Sequence, residues 1–193
     1  MSLESRCLAV AVVAGSLLVL GGCGQGAGGG EAGGEENPES SASLGQAISS
    51  GWSSMTSDEY APVNCDGSSL INGFDCRGRY CDTMRISCTP TAGVRNSAYS
   101  SYWTVPFSDG TSGTSQTCNP GYWATGLACK GDYCDNVSLQ CTFMSNISAK
   151  NCYWTGWTSE EQGIFNFPSG YYARGAQCSG DYCDNLRYYI CQP

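Results

Sequence analysis

From residue 51 onward, apolar and polar side chains alternate with a period of two, the pattern of strands half-buried on one face of a sheet. In residues 135–141, Val137, Leu139 and Cys141 fall on one face and Asn136, Ser138 and Gln140 on the other. Met84, Ile86 and Cys88 against Thr83, Arg85 and Ser87 repeat the alternation. No stretch after residue 50 sustains a 3.6-residue period, so the pattern predicts an all-β fold. Gly78, Gly131 and Gly180 each sit two residues after one cysteine and three before the next. That spacing predicts a hairpin loop with a glycine free to take positive φ.

These strands belong to a unit that occurs three times. Residues 73–88, 126–141 and 175–191 share the pattern G-x-x-C-x-G-x-Y-C-D-[NT]. Upstream, Trp52, Trp103 and Trp154 recur every 51 residues, each followed by an acidic turn at Ser57-Asp58-Glu59, Ser108-Asp109-Gly110 and Ser159-Glu160-Glu161. The repeats run over about 51–101, 102–152 and 153–193. A threefold repeat of this length is architecture, and closure about a pseudo-threefold axis is the economical way to complete it.

Cysteine spacing constrains the unit further. Cys65, Cys76, Cys81 and Cys88 have the spacing of Cys118, Cys129, Cys134 and Cys141. Four cysteines allow three pairings per unit. The favoured set has short staples, Cys76–Cys81 and Cys129–Cys134, with Cys65–Cys88 and Cys118–Cys141 joining outer strands. In the third unit Phe167 replaces the first cysteine and one extra residue precedes Cys191, which turns it to the opposite strand face. Both changes fit a Cys152–Cys191 bridge beside a Cys178–Cys183 staple. Thiolate zinc ligation is the competing reading. An exported chain meets an oxidising compartment, which favours disulfides.

Export is written in the first fifty residues. Residues 8–20 form an apolar run of 13, too short to span a bilayer and right for a signal peptide. Leu20-Gly21-Gly22-Cys23 follows and resembles a bacterial lipobox, which implies cleavage after residue 22 and a diacylglycerol on Cys23. Gly24 after that cysteine resembles the signal for the outer membrane or cell surface. Residues 23–50, rich in Gly, Ser and Glu and without an aromatic residue, predict a flexible linker between this anchor and the domain at 51–193.

The repeat resembles that of vitelline membrane outer layer protein I, and the residues carrying the likeness run in order. They are Trp103, Cys118, Gly121-Tyr122, Gly126, Gly131-Asp132 and the strand ending at Cys141, with Gly170-Tyr171 and Gly175 in the third unit. The first unit keeps Gly73 but has Ser69 at the tyrosine position. The family's turn is longer and lacks the cysteine staple. The resemblance implies a β-prism of three Greek-key sheets about a pseudo-threefold axis. It also implies an extracellular coat component, with glycan binding or oligosaccharide transfer as the chemistry.

Composition narrows the function classes. The 193 residues contain no histidine, which removes Ser-His-Asp and Cys-His catalysis and His-ligated metals. A net charge of −8 argues against nucleic acid as a partner. No cofactor or metal is expected. The repeated Trp52, Trp103 and Trp154 read as core, Asp82, Asp135 and Asp184 as turn caps, and Tyr80, Tyr133 and Tyr182 as structural. Trp123, Tyr171 and Tyr172, before strands in the second and third units only, are the candidate glycan contacts. The expected function is a non-catalytic, lipid-anchored module that binds a cell-surface or matrix glycan or forms a coat. The alternative is a glycan-active enzyme using carboxylates such as Glu160 and Glu161, which needs a second carboxyl group about 5–10 Å away.

Overall fold

The structure, a computed structural model, describes residues 47–96, 98–109 and 114–193. They belong to one compact unit, Ser40–Pro193. The expected signal peptide, the lipidation site Cys23 and nearly all of the linker lie outside the described residues.

The fold is all-β and rich in disulfides. Ahead of the repeats lies β1 (Ala47–Ile48), and the first repeat supplies β2 (Gly51–Trp52), β3 (Val63–Cys65), β4 (Ser69–Arg77), β5 (Thr83–Pro90) and β6 (Val94–Arg95). The second supplies β7 (Tyr102–Trp103), β8 (Ser115–Thr117), β9 (Tyr122–Lys130) and β10 (Asn136–Ser145). The third supplies β11 (Lys150–Trp154), β12 (Thr158–Ser159), β13 (Ile164–Asn166), β14 (Tyr172–Ser179) and β15 (Asn185–Gln192). Part of the stretch read as linker thus belongs to the domain: β1 pairs in parallel with β3, and half-buried Ile48 packs on the core.

Each repeat contributes one long antiparallel hairpin, β4–β5, β9–β10 or β14–β15, and each hairpin centres its own sheet. The tryptophan strand stays at home: β2 pairs β5, β7 pairs β10 and β11 pairs β15. A short strand just before the hairpin crosses to a neighbour, while β12 of the third repeat stays with β15. β3 adds to β9, β8 adds to β14, and β13 adds to β4. The three exchanges run in one cyclic sense, so no repeat completes its sheet without another.

The alternation read from the sequence sorts the hairpins. Met84, Ile86, Val137, Leu139, Leu186 and Tyr188 all face one apolar core and are essentially inaccessible. There Phe74 stacks on Tyr188 at a centroid distance of 4.2 Å, and Phe167 lies 5.6 Å from the same ring. Phe167 stands where the other repeats have a cysteine, so ring packing replaces a bridge. A second cluster contains Leu70, Trp123, Met144 and Cys191, with Tyr172 packed against it. Leu70, Trp123 and Tyr172 occupy the same repeat position, three residues before Gly73, Gly126 and Gly175.

Six disulfides join Cys65 to Cys88, Cys76 to Cys81, Cys118 to Cys141, Cys129 to Cys134, Cys152 to Cys191 and Cys178 to Cys183. These are the pairs favoured by spacing, and no thiolate is left for zinc among them. Cys191 joins the second cluster while Cys88 and Cys141 join the main core, as the inserted residue requires. Each bridge that closes 23 residues contributes about 3 kcal/mol by restricting the unfolded chain.

Candidate functional site

The staple disulfides shape the end of the molecule where the three hairpins turn. In each turn a tyrosine and the following cysteine hold left-handed backbone: Tyr80 and Cys81, Tyr133 and Cys134, Tyr182 and Cys183, with φ between 56° and 61°. Such backbone is unfavourable for residues with a Cβ and persists where the surroundings enforce it. Here the short disulfide does so. Asp82, Asp135 and Asp184 follow, and their Oδ1 atoms press on Gly78, Gly131 and Gly180, where a Cβ would lie 1.8–2.0 Å from that oxygen. Each aspartate thus packs on the glycine of its own turn. The side chains of Asn136 and Asn185, not the expected backbone N–H groups, donate a hydrogen bond to Asp135 and Asp184, both at 2.6 Å.

The three turns meet. The rings of Tyr80, Tyr133 and Tyr182 form a triangle with centroid separations of 5.7, 5.5 and 5.1 Å. Each turn's second cysteine touches the preceding turn's aspartate: Cys134 Sγ lies 3.1 Å from the Asp82 carbonyl oxygen, Cys183 Sγ 3.2 Å from that of Asp135, and Cys81 Sγ 3.5 Å from that of Asp184. The contacts are cyclic, like the strand exchange.

Beside this triangle a cleft of about 620 Å³ opens between the first and second turns. Its walls are Ser57, Asp58, Glu59 and Tyr60 from the loop before β3, Asp82 and Thr83 at the start of β5, and Asp132 and Tyr133 from the second turn. The loop is held by Thr56, whose backbone pairs with Met84, and by the Ser57 hydroxyl, which accepts from the Glu59 N–H at 3.2 Å. Tyr60 is 61% exposed and Tyr133 41%. Four carboxyl groups and two tyrosine rings line the cleft, and no basic side chain does.

The repeats diverge at this place. Thr83 stands where the second and third repeats have Asn136 and Asn185, so Asp82 lacks their amide donor and its buried Oδ1 has no hydrogen-bond partner. Arg79 takes the position of Asp132 and Asp181, so the first turn carries a cation where the other two carry a carboxylate. The Arg79 guanidinium donates to the Tyr80 hydroxyl at 2.9 Å, and that bond raises its pKa. Acceptor-rich walls with exposed rings suit a hydroxyl-rich ligand.

The expected contacts fall elsewhere. Trp123 is a correction: it is fully buried, not solvent-facing. It is the second residue of β9, and with Leu70 and Tyr172 it fills the second cluster, its ring edge-on to Tyr172 at 6.5 Å. Leucine at the equivalent position of the first repeat was the signal for burial. Tyr171 and Tyr172 are half-buried, Tyr171 packs edge-on against Tyr153 at 5.2 Å, and neither lines the cleft. Trp52, Trp103 and Trp154 are a second correction, being only partly buried instead of core. They oppose Ser87, Gln140 and Tyr189, the outward residues of the alternation, so their rings lie on the outer sheet faces.

No pair of buried carboxyl groups is found among the described residues. The only fully buried one, Asp75, is bound by Arg85 at 2.7 Å and Arg77 at 3.1 Å. Glu161 is exposed and accepts from the Ser159 hydroxyl, which holds its pKa below the usual carboxylate range and works against a role as general acid. Among the described residues no three acidic or thiol groups are placed to hold a metal ion, and no helix is long and apolar enough to cross a membrane. No protein-family model, curated protein or solved structure matches the chain.

Proposed function

We propose that the protein is an exported, surface-displayed module that binds glycans without transforming them, and that its three repeats form a β-prism. The cyclic exchange of β3, β8 and β13 supports the prism. The six disulfides mark a chain that matures in an oxidising, extracytoplasmic compartment. Lipidation at Cys23 and the linker that follows would tether it, and crowding on a membrane lets shallow sites act together.

The observation that carries the binding reading is the cleft, where the exposed rings of Tyr60 and Tyr133 stand beside carboxyl groups open to solvent. An aromatic face stacks on a sugar ring while carboxylate oxygens accept its hydroxyls. Probing an array of cell-envelope and matrix glycans tests it. Among the described residues Tyr60 makes no ring contact and is 61% exposed, so Tyr60→Ala should preserve the fold and weaken binding by roughly 1 kcal/mol. Loss of no affinity in that variant, or turnover of a polysaccharide that depends on Asp58 or Glu59, overturns the reading.

A further inference from the structure

The three sheets carry equivalent rows of positions in the same register, each with a tryptophan, and one row lacks the arginine that the other two hold. In the first repeat Arg85 stands opposite Asp75 on the hairpin, two residues before Ser87, which opposes Trp52. The Arg85 guanidinium lies 5.0 Å from the centre of the Trp52 ring and is anchored on buried Asp75 at 2.7 Å. In the third repeat Arg187 stands opposite Gln177, two residues before Tyr189, which opposes Trp154. Its Nε donates to Gln177 at 2.8 Å, and its guanidinium lies over the rings of Trp154 and Trp157, at 5.3 and 4.7 Å from their centres. Two different acceptors, a carboxylate and a carboxamide, thus hold an arginine over the tryptophan.

The second repeat has the tryptophan without the arginine. Ser138 stands opposite Ala128, two residues before Gln140, which opposes Trp103. Neither short side chain reaches over the indole or anchors a cation. Among the described residues no cation or ring covers Trp103, which is 39% exposed beside Val105 at 66%. We infer that Trp103 is a receptor for an arginine side chain of a partner protein, which completes from outside the pairing that the other two repeats build from within. Two features favour arginine as the occupant. The fold places a guanidinium on this surface twice, and a planar cation suits an indole face better than a compact ammonium does. The chain carries 17 acidic against 9 basic residues, so a basic segment is drawn to it from a distance. The site is separate from the cleft, and its test involves no glycan.

Calorimetric titration of the intact protein with a synthetic peptide of alternating glycine and arginine, and with its lysine counterpart, reads the inference. The arginine peptide should bind more tightly than the lysine peptide. Trp103→Ala should weaken it by roughly fivefold, the scale of an exposed cation–π contact. The double change Ala128→Asp with Ser138→Arg installs the first repeat's own pair. It leaves net charge unaltered, keeps the tryptophan and should weaken binding equally by filling the site from within. Equal affinity for the two peptides, no binding by the native protein, or undiminished binding by the double variant overturns the inference.

Discussion

Replacing Trp123 with alanine separates a packing role from a binding role. The side chain is entirely inaccessible and sits among Leu70, Met144, Cys191 and Tyr172. The Arg174 guanidinium lies 5.7 Å from its ring and donates to the carbonyl oxygens of Tyr122 at 2.9 Å, Cys118 at 3.0 Å and Asn119 at 2.7 Å. Removing the indole leaves a cavity that these neighbours cannot fill, because most are held by strands or a disulfide. Burial of a tryptophan covers roughly 150–250 Å², and core tryptophan-to-alanine changes cost about 3–5 kcal/mol. For a domain of this size each kcal/mol corresponds to roughly 2–4 °C in Tm, so a fall of roughly 6–20 °C is expected. The assay is denaturant and thermal unfolding of the oxidised protein, with Trp103→Ala as the control. Trp103 is partly exposed and should cost less than half as much. If Trp123→Ala unfolds no more easily than Trp103→Ala, the assignment of Trp123 to a core cluster is wrong.

Two further outcomes are expected. Burial raises the pKa of the Tyr188 hydroxyl, opposed in part by a hydrogen bond with Thr158. Its folded-state pKa then lies above the unfolded value of about 10, so the stability it contributes is complete below pH 10 and is lost as pH rises beyond it. Tyr188→Phe should flatten the alkaline limb of a stability-against-pH curve, and an unchanged limb would place that loss elsewhere. Separately, Cys23→Ser should release the protein from membranes or leave an uncleaved precursor, read by fractionation and mass spectrometry. Mature protein still bound to membranes after that change excludes lipid anchoring through Cys23.

Features set by short stretches of chain were legible in the sequence. The alternation in residues 83–88 and 136–141 predicts which side chains enter the core, because strand geometry sends successive residues to opposite faces wherever the strand docks. The cysteine pairs were legible because their spacing repeats and because a five-residue staple leaves little choice of partner. The displaced Cys191 followed from one inserted residue by the same parity. Where a residue's surroundings come from another repeat, spacing was silent. The local pattern places Trp123 before a strand, yet its burial depends on Leu70 and Tyr172, about fifty residues away on either side. Trp52 and Trp154 look like core because they repeat and are large. Their outer-face position depends on register with β5 and β15 and on arginines that cover them. The cleft takes its walls from a loop of the first repeat and a turn of the second, brought together because β3 leaves its own repeat to pair with β9. A chain can encode that exchange only through shape and hydrogen bonding between distant segments, and no periodicity or spacing along the sequence records it.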